Sequence, residues 1–576
     1  MKITIAKTAG FCMGVRRAVE MAMDAANREK APIFTYGPLI HNPQVLEILK
    51  EKGISSIDSI PETGCGTVII RAHGIPPEER QALVDAGYSV MDATCPRVIK
   101  VQSIISSHAR RGFTVIIVGD RHHPEVKGLL GYAGDLGIVV EDMDALKALP
   151  DFEKAIIVAQ TTQNSAFFKE VESWSAAHHP DYKVFNTICD STEKRQSEVL
   201  DLCERVDAVI VVGGHHSGNT RRLADIARQT GKPAFHVETA RELQLDKISG
   251  ARRIGLTAGA STPNWIIKQV YHALECGLLK KKGMVRFLAY FISKNLMLSN
   301  LCLAAGAASL AYAGANIQGL RPDLSCILIA SLYLLCMHTI NHMLDRNSDR
   351  YNDPERAEFY EKNRALLYTM ASVAGGGALV AAWRMGPLFF VLLSCMSLFG
   401  VLYNIDIDAE PVRSFRLKKI PGSKTMLVAL AWGIVTAVFP ALYKKGHMAP
   451  DTIVAFAWIA GLVFTRTAYF DILDMQGSRI AGRETFPTFL GEEKTVRVLK
   501  VILVTLIFFL PGMAVLKVVA WRWSILSACP VSMLLFLKSH EQGDFFPGVG
   551  RGFLMESHFI AAGLLAMAVS GLGVHV

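Results

Sequence analysis

The alternation of apolar and polar positions divides this chain into two unlike halves. Up to about residue 279, short β-branched runs at 66–70, 114–118, 155–158 and 208–212 alternate with longer stretches of mixed polarity. Apolar runs of four or five residues, each followed by a helical period, predict parallel strands buried on both faces in an α/β fold. From Phe287 onward the runs lengthen. Nine segments, at about 287–313, 324–343, 365–383, 386–404, 425–443, 451–470, 498–516, 521–537 and 558–575, have the length and apolarity expected of bilayer-crossing helices. A basic stretch at 280–286 separates the halves, so the expected organisation is an α/β domain at 1–279, a linker at 280–286 and an all-α membrane bundle at 287–576.

Composition sharpens this picture. The mean hydropathy of +0.28 is high for a chain of 576 residues unless much of it lies in lipid. A net charge of +9 raises the question of nucleic acid, but the basic residues gather between apolar segments, where anionic lipid and the positive-inside bias account for them. With the first helix entered from the cytosol, the inner loops carry Arg346, Arg350, Arg356, Lys362, Arg364, Arg413, Arg416, Lys418, Lys419, Arg479, Arg483 and Lys494, against Arg321, Arg384, Lys444 and Lys445 outside. The start of the chain has no apolar run or cleavage site of an export signal. The expectation is a multi-pass protein of the inner (cytoplasmic) membrane, its N-terminal domain in the cytoplasm, with membrane lipid as a partner and no nucleic acid. Eleven cysteines, an odd number, in a reducing compartment point away from a disulfide framework and leave metal ligation or packing.

Three cysteines stand where strands give way to helices: Cys12 in Gly-Phe-Cys-Met-Gly-Val-Arg, Cys95 in Asp-Ala-Thr-Cys-Pro-Arg and Cys189 in Thr-Ile-Cys-Asp-Ser-Thr. Thiolates there suit an iron–sulfur cluster, and three rather than four leave one iron open to a substrate oxygen. Any one of them, taken alone, reads equally well as a packed core thiol, the reading kept for Cys65, Cys203 and Cys276. Polar clusters recur at similar junctions, with His41, His73, His123, Glu125, Ser217, Asn219 and Ser261. Singly these are caps or turn residues; jointly they are the donors a diphosphate needs, especially at helix N-termini.

With these motifs in view, the first 275 or so residues resemble the 4-hydroxy-3-methylbut-2-enyl diphosphate reductase (LytB/IspH) family. The resemblance rests on Cys-x-Gly-Val-x-Arg-Ala from Cys12, His-Asn at His41, Ala-His-Gly at His73, Asp-Ala-Thr-Cys-Pro at Cys95 and His-Pro-Glu-Val at His123. It continues through Gln-Thr-Thr at Thr161, Ile-Cys at Cys189, Ser-x-Asn at Ser217 and Thr-Ala-Gly-Ala-Ser at Ser261. It implies three α/β modules in pseudo-threefold array around a [4Fe–4S] cluster held by Cys12, Cys95 and Cys189. It also implies a diphosphate site of His41, His73, His123, Ser217, Gly218, Asn219 and Ser261, with Glu125 delivering protons and Thr161 positioning the substrate hydroxyl. Gly218 replaces a serine that many relatives carry, removing one hydroxyl. The implied reaction reduces the hydroxylated five-carbon diphosphate to isopentenyl and dimethylallyl diphosphate, with electrons from a protein such as ferredoxin or flavodoxin.

In the second half, acidic clusters at 341–349 and 471–474 interrupt the apolar pattern on the inner side. Carboxylates three or four residues apart share a helix face, and two opposed faces hold Mg²⁺ against a diphosphate; solvated loop charge is the plainer account of either cluster alone. These residues resemble the UbiA superfamily of prenyltransferases, with Asn341, Asp345 and Asp349 on the first motif, Asp471 and Asp474 on the second, and Gly482 to Pro487 following. His342 and Ser478 stand where the family often has Asp. Lys418, Lys419 and Lys424 are within reach of a diphosphate by the same analogy. The combined expectation is a reductase fused to an Mg²⁺-dependent intramembrane prenyltransferase acting on isoprenoid diphosphates. The alternatives are a prenyltransferase with a regulatory reductase domain, or a membrane half that serves only as anchor or lipid-binding module.

Overall fold

The computed structural model describes residues 2–28, 32–248, 250–281, 283–404, 420–480, 484–542 and 549–571. The chain forms two compact units, Met1–Leu278 and Leu279–Val576.

The first unit contains three four-stranded parallel sheets. One is built from β1 (Lys2–Ile5), β10 (Ala208–Val212), β11 (Ala234–Val237) and β12 (Arg253–Ala258), in the order β1-β12-β10-β11. The second contains β2 (Ile33–Tyr36), β3 (Ile54–Ile57), β4 (Thr67–Ile70) and β5 (Ser89–Asp92), ordered β3-β2-β4-β5. The third contains β6 (Thr114–Val118), β7 (Gly137–Val140), β8 (Ala155–Ala159) and β9 (Lys183–Phe185), ordered β7-β6-β8-β9. The sheets share one plan, and the first is completed by the chain's opening strand, which pairs in register from Lys2↔Arg253 to Ile5↔Leu256. Strands β4, β8 and β10 are buried at every position, as two-sided helix cover requires.

The cysteines follow equivalent strands. Cys95, Cys189 and Cys12 come after β5, β9 and β1, each an edge strand of its sheet. His41, His123 and Ser217 follow β2, β6 and β10, and His73, Thr161 and Ser261 follow β4, β8 and β12. Parallel strands put all these residues beyond carboxyl ends, where open α/β sheets bind ligands. Gly74 takes a left-handed φ of +75° beside His73, and a Cβ there would meet Gln102 Nε2 at 2.5 Å, so the turn admits glycine alone.

The second unit is helical, with a core that includes Leu310, Trp432, Trp458, Tyr469, Leu503 and Phe559. All nine expected positions carry a helical segment among the described residues, but six helices are long and apolar enough to cross a membrane. They are Leu324–Leu344, Arg364–Met385, Ser423–Lys445, Pro450–Leu473, Glu492–Val515 and Gly550–Gly571. The span expected at 287–313 is two helices, Met284–Leu298 and Leu301–Ile317, bent by 69°, and counting the pair as one span gives seven. At the break Asn300 adopts a left-handed φ of 61° and donates from Nδ2 to Tyr360 OH at 2.8 Å. The segment expected at 386–404 is apolar but short, Pro387–Tyr403, and that at 521–537 begins as a 3₁₀ turn, Trp521–Ser527, before the helix Ala528–Gln542. Of the inner-loop basic residues, Arg413, Arg416, Lys418, Lys419 and Arg483 lie outside the described residues, as does Gly482.

Candidate active sites

Each of the three cysteines directly precedes a helix: Met13–Arg28 after Cys12, Pro96–Ala109 after Cys95 and Asp190–Arg205 after Cys189. Helix N-termini favour negative charge, and the amide of Val15 donates to Cys12 Sγ at 3.4 Å. Burial pushes the Cys95 thiol up; the amides of Arg97 and Val98 pull the other way, and the nearby Cys12 and Cys189 thiols raise it further. All three line one cavity together with His41, His73, His123, Glu125, Thr161, Ser217, Gly218, Asn219 and Ser261. Folding therefore gathers every reductase residue singled out in the sequence. The lining suits a soft-ligand group in kind, three thiols facing one space, and a Cβ on Gly14 would lie 2.4 Å from Cys95 Sγ, so glycine leaves that thiol room beside the Cys12 loop.

On the polar side, the His41, His73 and His123 rings stand with centroids 4.9, 5.3 and 6.0 Å apart. Their nitrogens lie within 4.8 Å of one another, a spacing compatible with a metal ion. Hydrogen bonding argues otherwise. His123 Nδ1 accepts from the Glu125 amide at 3.1 Å, which places the proton of the neutral ring on Nε2, the edge facing Gly218, and makes it a donor. Burial drives the His73 imidazole well below its ordinary value, lowers His41, and brings His123 down to about 4, so all three are neutral near pH 7. Ser217 caps the helix Gly218–Gln229, its Oγ accepting from the Thr220 amide at 3.4 Å. Ser261 Oγ donates to the His41 carbonyl at 3.2 Å. Asn219 Nδ2 and His73 Nδ1 are buried without a hydrogen-bond partner, the condition of polar atoms awaiting an acceptor. A Cβ on Gly218 would meet His123 Cδ2 at 3.6 Å, ordinary contact, so the missing hydroxyl is a difference of chemistry rather than of space.

Glu125 lines the same cavity and is buried. Thr161 donates to it twice, from Oγ1 to Oε2 at 2.8 Å and from the amide to Oε1 at 2.7 Å. Burial pushes the Glu125 carboxyl up to about 7 despite those bonds, which pull it down. A carboxyl protonated part of the time at neutral pH is a proton donor.

Residues that carried no assigned role link the modules that carry the site. Arg17, Arg97 and Arg195 bond across the modules. The cysteine motifs contain or adjoin the first two, but nothing local in the sequence marks Arg195.

In the second unit, Asn341 lies near the end of the helix Leu324–Leu344, Asp345 caps it and Asp349 lies in the short helix Arg346–Asn352. Asp471 and Asp474 lie at the end of Pro450–Leu473. Neighbouring residues tie the motifs together: Lys424 Nζ is 2.8 Å from Asp345 Oδ2, and Thr425 Oγ1 donates to Asp471 Oδ2 at 2.6 Å. A Cβ on Gly477 would meet Asn352 Oδ1 at 1.9 Å, so the short helix Arg346–Asn352 packs closely against the short helix Met475–Ile480 at that glycine. His342 stands 2.8 Å from Asp349 Oδ2 through Nδ1 and accepts from Arg356 at 2.9 Å through Nε2. Oxygen donors of this kind suit Mg²⁺. Asn341 and Lys424 open onto an apolar pocket lined by Tyr333, Met337, Phe399 and Trp432.

Residues 3–275 match the family described as LytB protein, and residues 301–543 match the UbiA prenyltransferase family. The chain is 46% identical over 276 residues to the 4-hydroxy-3-methylbut-2-enyl diphosphate reductase of Aquifex aeolicus, covering 47% of this chain and 96% of that protein. It is 45% identical to a solved structure of (E)-4-hydroxy-3-methyl-but-2-enyl diphosphate reductase, covering 48% of this chain and 99% of that one with a TM-score of 0.38. The apo structure of a UbiA homolog from Aeropyrum pernix K1 is similar at 12% identity and a TM-score of 0.37, covering 47% of this chain and 97% of that chain.

Proposed function

The chain belongs, through its first half, to the 4-hydroxy-3-methylbut-2-enyl diphosphate reductase family, and from that premise we propose how its residues divide the reaction. The substrate is (E)-4-hydroxy-3-methylbut-2-enyl diphosphate, and the products are isopentenyl and dimethylallyl diphosphate. The observation that carries the reading is the convergence of residues after equivalent strands of three sheets on one cavity. His41, His73, His123, Ser217, Asn219 and Ser261 bind the diphosphate, with the Gly218 amide at the helix start beside them. Cys12, Cys95 and Cys189 would hold a [4Fe–4S] cluster, which would supply electrons and Lewis acidity when bound.

Thr161 orients the substrate hydroxyl, and Glu125 protonates it so that it departs as water. The C–O bond breaks, two electrons enter from a donor such as ferredoxin or flavodoxin, and a second proton reaches either end of the allylic system. Two isomeric products follow. Anaerobic purification, iron and sulfide analysis, and turnover with an artificial reductant test the proposal; absence of iron and of turnover would overturn it.

For the second half we propose Mg²⁺-dependent prenyl transfer from a longer prenyl diphosphate. Asn341, Asp345, Asp349, Asp471 and Asp474 hold the metal and diphosphate, and the apolar pocket beyond Asn341 takes the chain. The observation favouring it is the gathering of both acidic motifs around Lys424 and Thr425. The chain lies in the inner membrane as a multi-pass protein with its first half cytoplasmic.

A further inference from the structure

The three helices that begin after the cysteines each send an arginine to the next module. Arg17, on the helix after Cys12, donates to the carbonyl of Thr94 at 2.9 Å, in the loop that carries Cys95, and to that of Asp92 at 3.4 Å, at the end of β5. Arg97, on the helix after Cys95, pairs with Asp190 at the start of the helix after Cys189. Arg195, on that helix, reaches back to the Cys12 loop, bonding the carbonyls of Thr8 and, at 2.7 Å, Gly10, with Ala258 O at 3.2 Å. The circuit closes on itself in the order of the cysteines.

The clasps differ in depth. Arg97 and Asp190 are well exposed, and such pairs contribute little to stability. Arg195 is 3% exposed, its hydrogen bonds to Thr8, Gly10 and Ala258 all go to carbonyl oxygens, and its buried Nε has no hydrogen-bond partner. Glu198, three residues on, is occupied with the amides of Lys7 and Thr8 and the Thr8 hydroxyl. Cys12, Glu198 and Cys189 all lie within electrostatic reach of the guanidinium. Holding a positive charge in the interior is costly unless negative charge shares the site, which Glu198 and the cysteine thiolates together would supply.

We infer that Arg17, Arg97 and Arg195 form a closed ring of clasps that fixes the three cysteines relative to one another, and that Arg195 is a positioning residue whose charge also favours the reduced cluster. The inference rests on the reading of these cysteines as cluster ligands. Three thiols from separate modules meet only if the modules keep their register, and each clasp ties one cysteine helix to the next cysteine loop. A buried cation beside the thiolates stabilises each added electron, because opposite charges attract strongly where water is excluded.

The test uses the full chain, reconstituted anaerobically with iron and sulfide. One readout is the half-time of visible-band bleaching by a chelator; the other is the midpoint potential from an EPR-monitored redox titration. Arg17→Gln and Arg195→Gln are expected to bleach at least tenfold faster than the parent, and Arg97→Gln less than threefold faster. Arg195→Gln also lowers the ratio of reduced to oxidised cluster tenfold at fixed poise, about 59 mV for one electron. Arg195→Lys keeps the charge but loses the fork, so it bleaches fast at nearly the parent potential. Should Arg195→Gln fail to fold, Arg17→Gln and Arg195→Lys carry the test. Parent-like bleaching in these variants, or equal potential shifts in Arg195→Gln and Arg195→Lys, overturns the inference. A parent chain that takes up no cluster overturns instead the reading of the cysteines.

Discussion

Thr161 Oγ1 donates to Glu125 Oε2 at 2.8 Å, and the Thr161 amide donates to Oε1 of the same carboxyl at 2.7 Å. The carboxyl, pushed up to about 7 by burial, is protonated below that value and ionised above it. Turnover of the reductase should therefore fall as pH rises past about 7. Glu125→Gln should cost on the order of 10²–10⁴ in turnover and abolish that limb while leaving the visible cluster band intact. The pH–rate profiles of parent and variant decide it; a Gln variant with parental turnover would exclude proton delivery by Glu125.

The same carboxyl makes a stability prediction. Its folded value lies above the ordinary 4.5, so the native state binds a proton more tightly than the unfolded chain does. Stability then declines as pH rises from about 4.5 to about 7 and levels off above. Glu125→Gln removes this contribution, and denaturant titrations of the first unit's transition at pH 5 and pH 8 should differ less in the variant.

His41, His73 and His123 are neutral when the cavity is empty, since burial lowers all three. A diphosphate placed among them raises their proton affinity, so substrate binding near pH 7 should take up protons and weaken as pH increases. Calorimetric titration in buffers of different ionisation enthalpy measures this directly. Binding with no net proton uptake would show that the imidazoles act solely as neutral donors.

Gly14→Ala puts a Cβ 2.4 Å from Cys95 Sγ, which forces either the thiol or the Cys12 loop to move. The variant should lose most of its iron and visible absorbance, as should Cys12→Ser, Cys95→Ser and Cys189→Ser. The exposed Cys65 serves as the contrast, because Cys65→Ser should retain full iron content. Iron and sulfide analysis after identical reconstitution reads all five.

In the second unit, Asp345→Asn and Asp471→Asn should each reduce Mg²⁺-dependent prenyl transfer in membranes by at least tenfold while leaving reductase turnover unchanged. Lys424→Met removes the ion pair to Asp345 and should raise the apparent KM for prenyl diphosphate. Magnesium-independent transfer, or none in the parent, would leave the membrane half without the proposed activity.

Much of the architecture was legible in local pattern. The runs at 114–118, 155–158 and 208–212 became β6, β8 and β10 because a buried parallel strand is apolar on both faces whatever surrounds it. The membrane spans were less legible. Hydropathy sees 287–313 as one run, whereas Asn300 turns the backbone through a left-handed conformation fixed by a partner sixty residues away.

By itself, the sequence determined the two halves, the strand and helix periods and the cysteines, histidines and carboxylates available for chemistry, because these depend on neighbours along the chain. Tertiary structure alone decided the tautomer of His123, the burial that sets Glu125 near 7, the pairing of Lys424 with Asp345 and the reach of Arg195 to a loop 185 residues away. Those properties are set by which groups exclude water from one another and which donors find acceptors, and only folding brings such groups into contact.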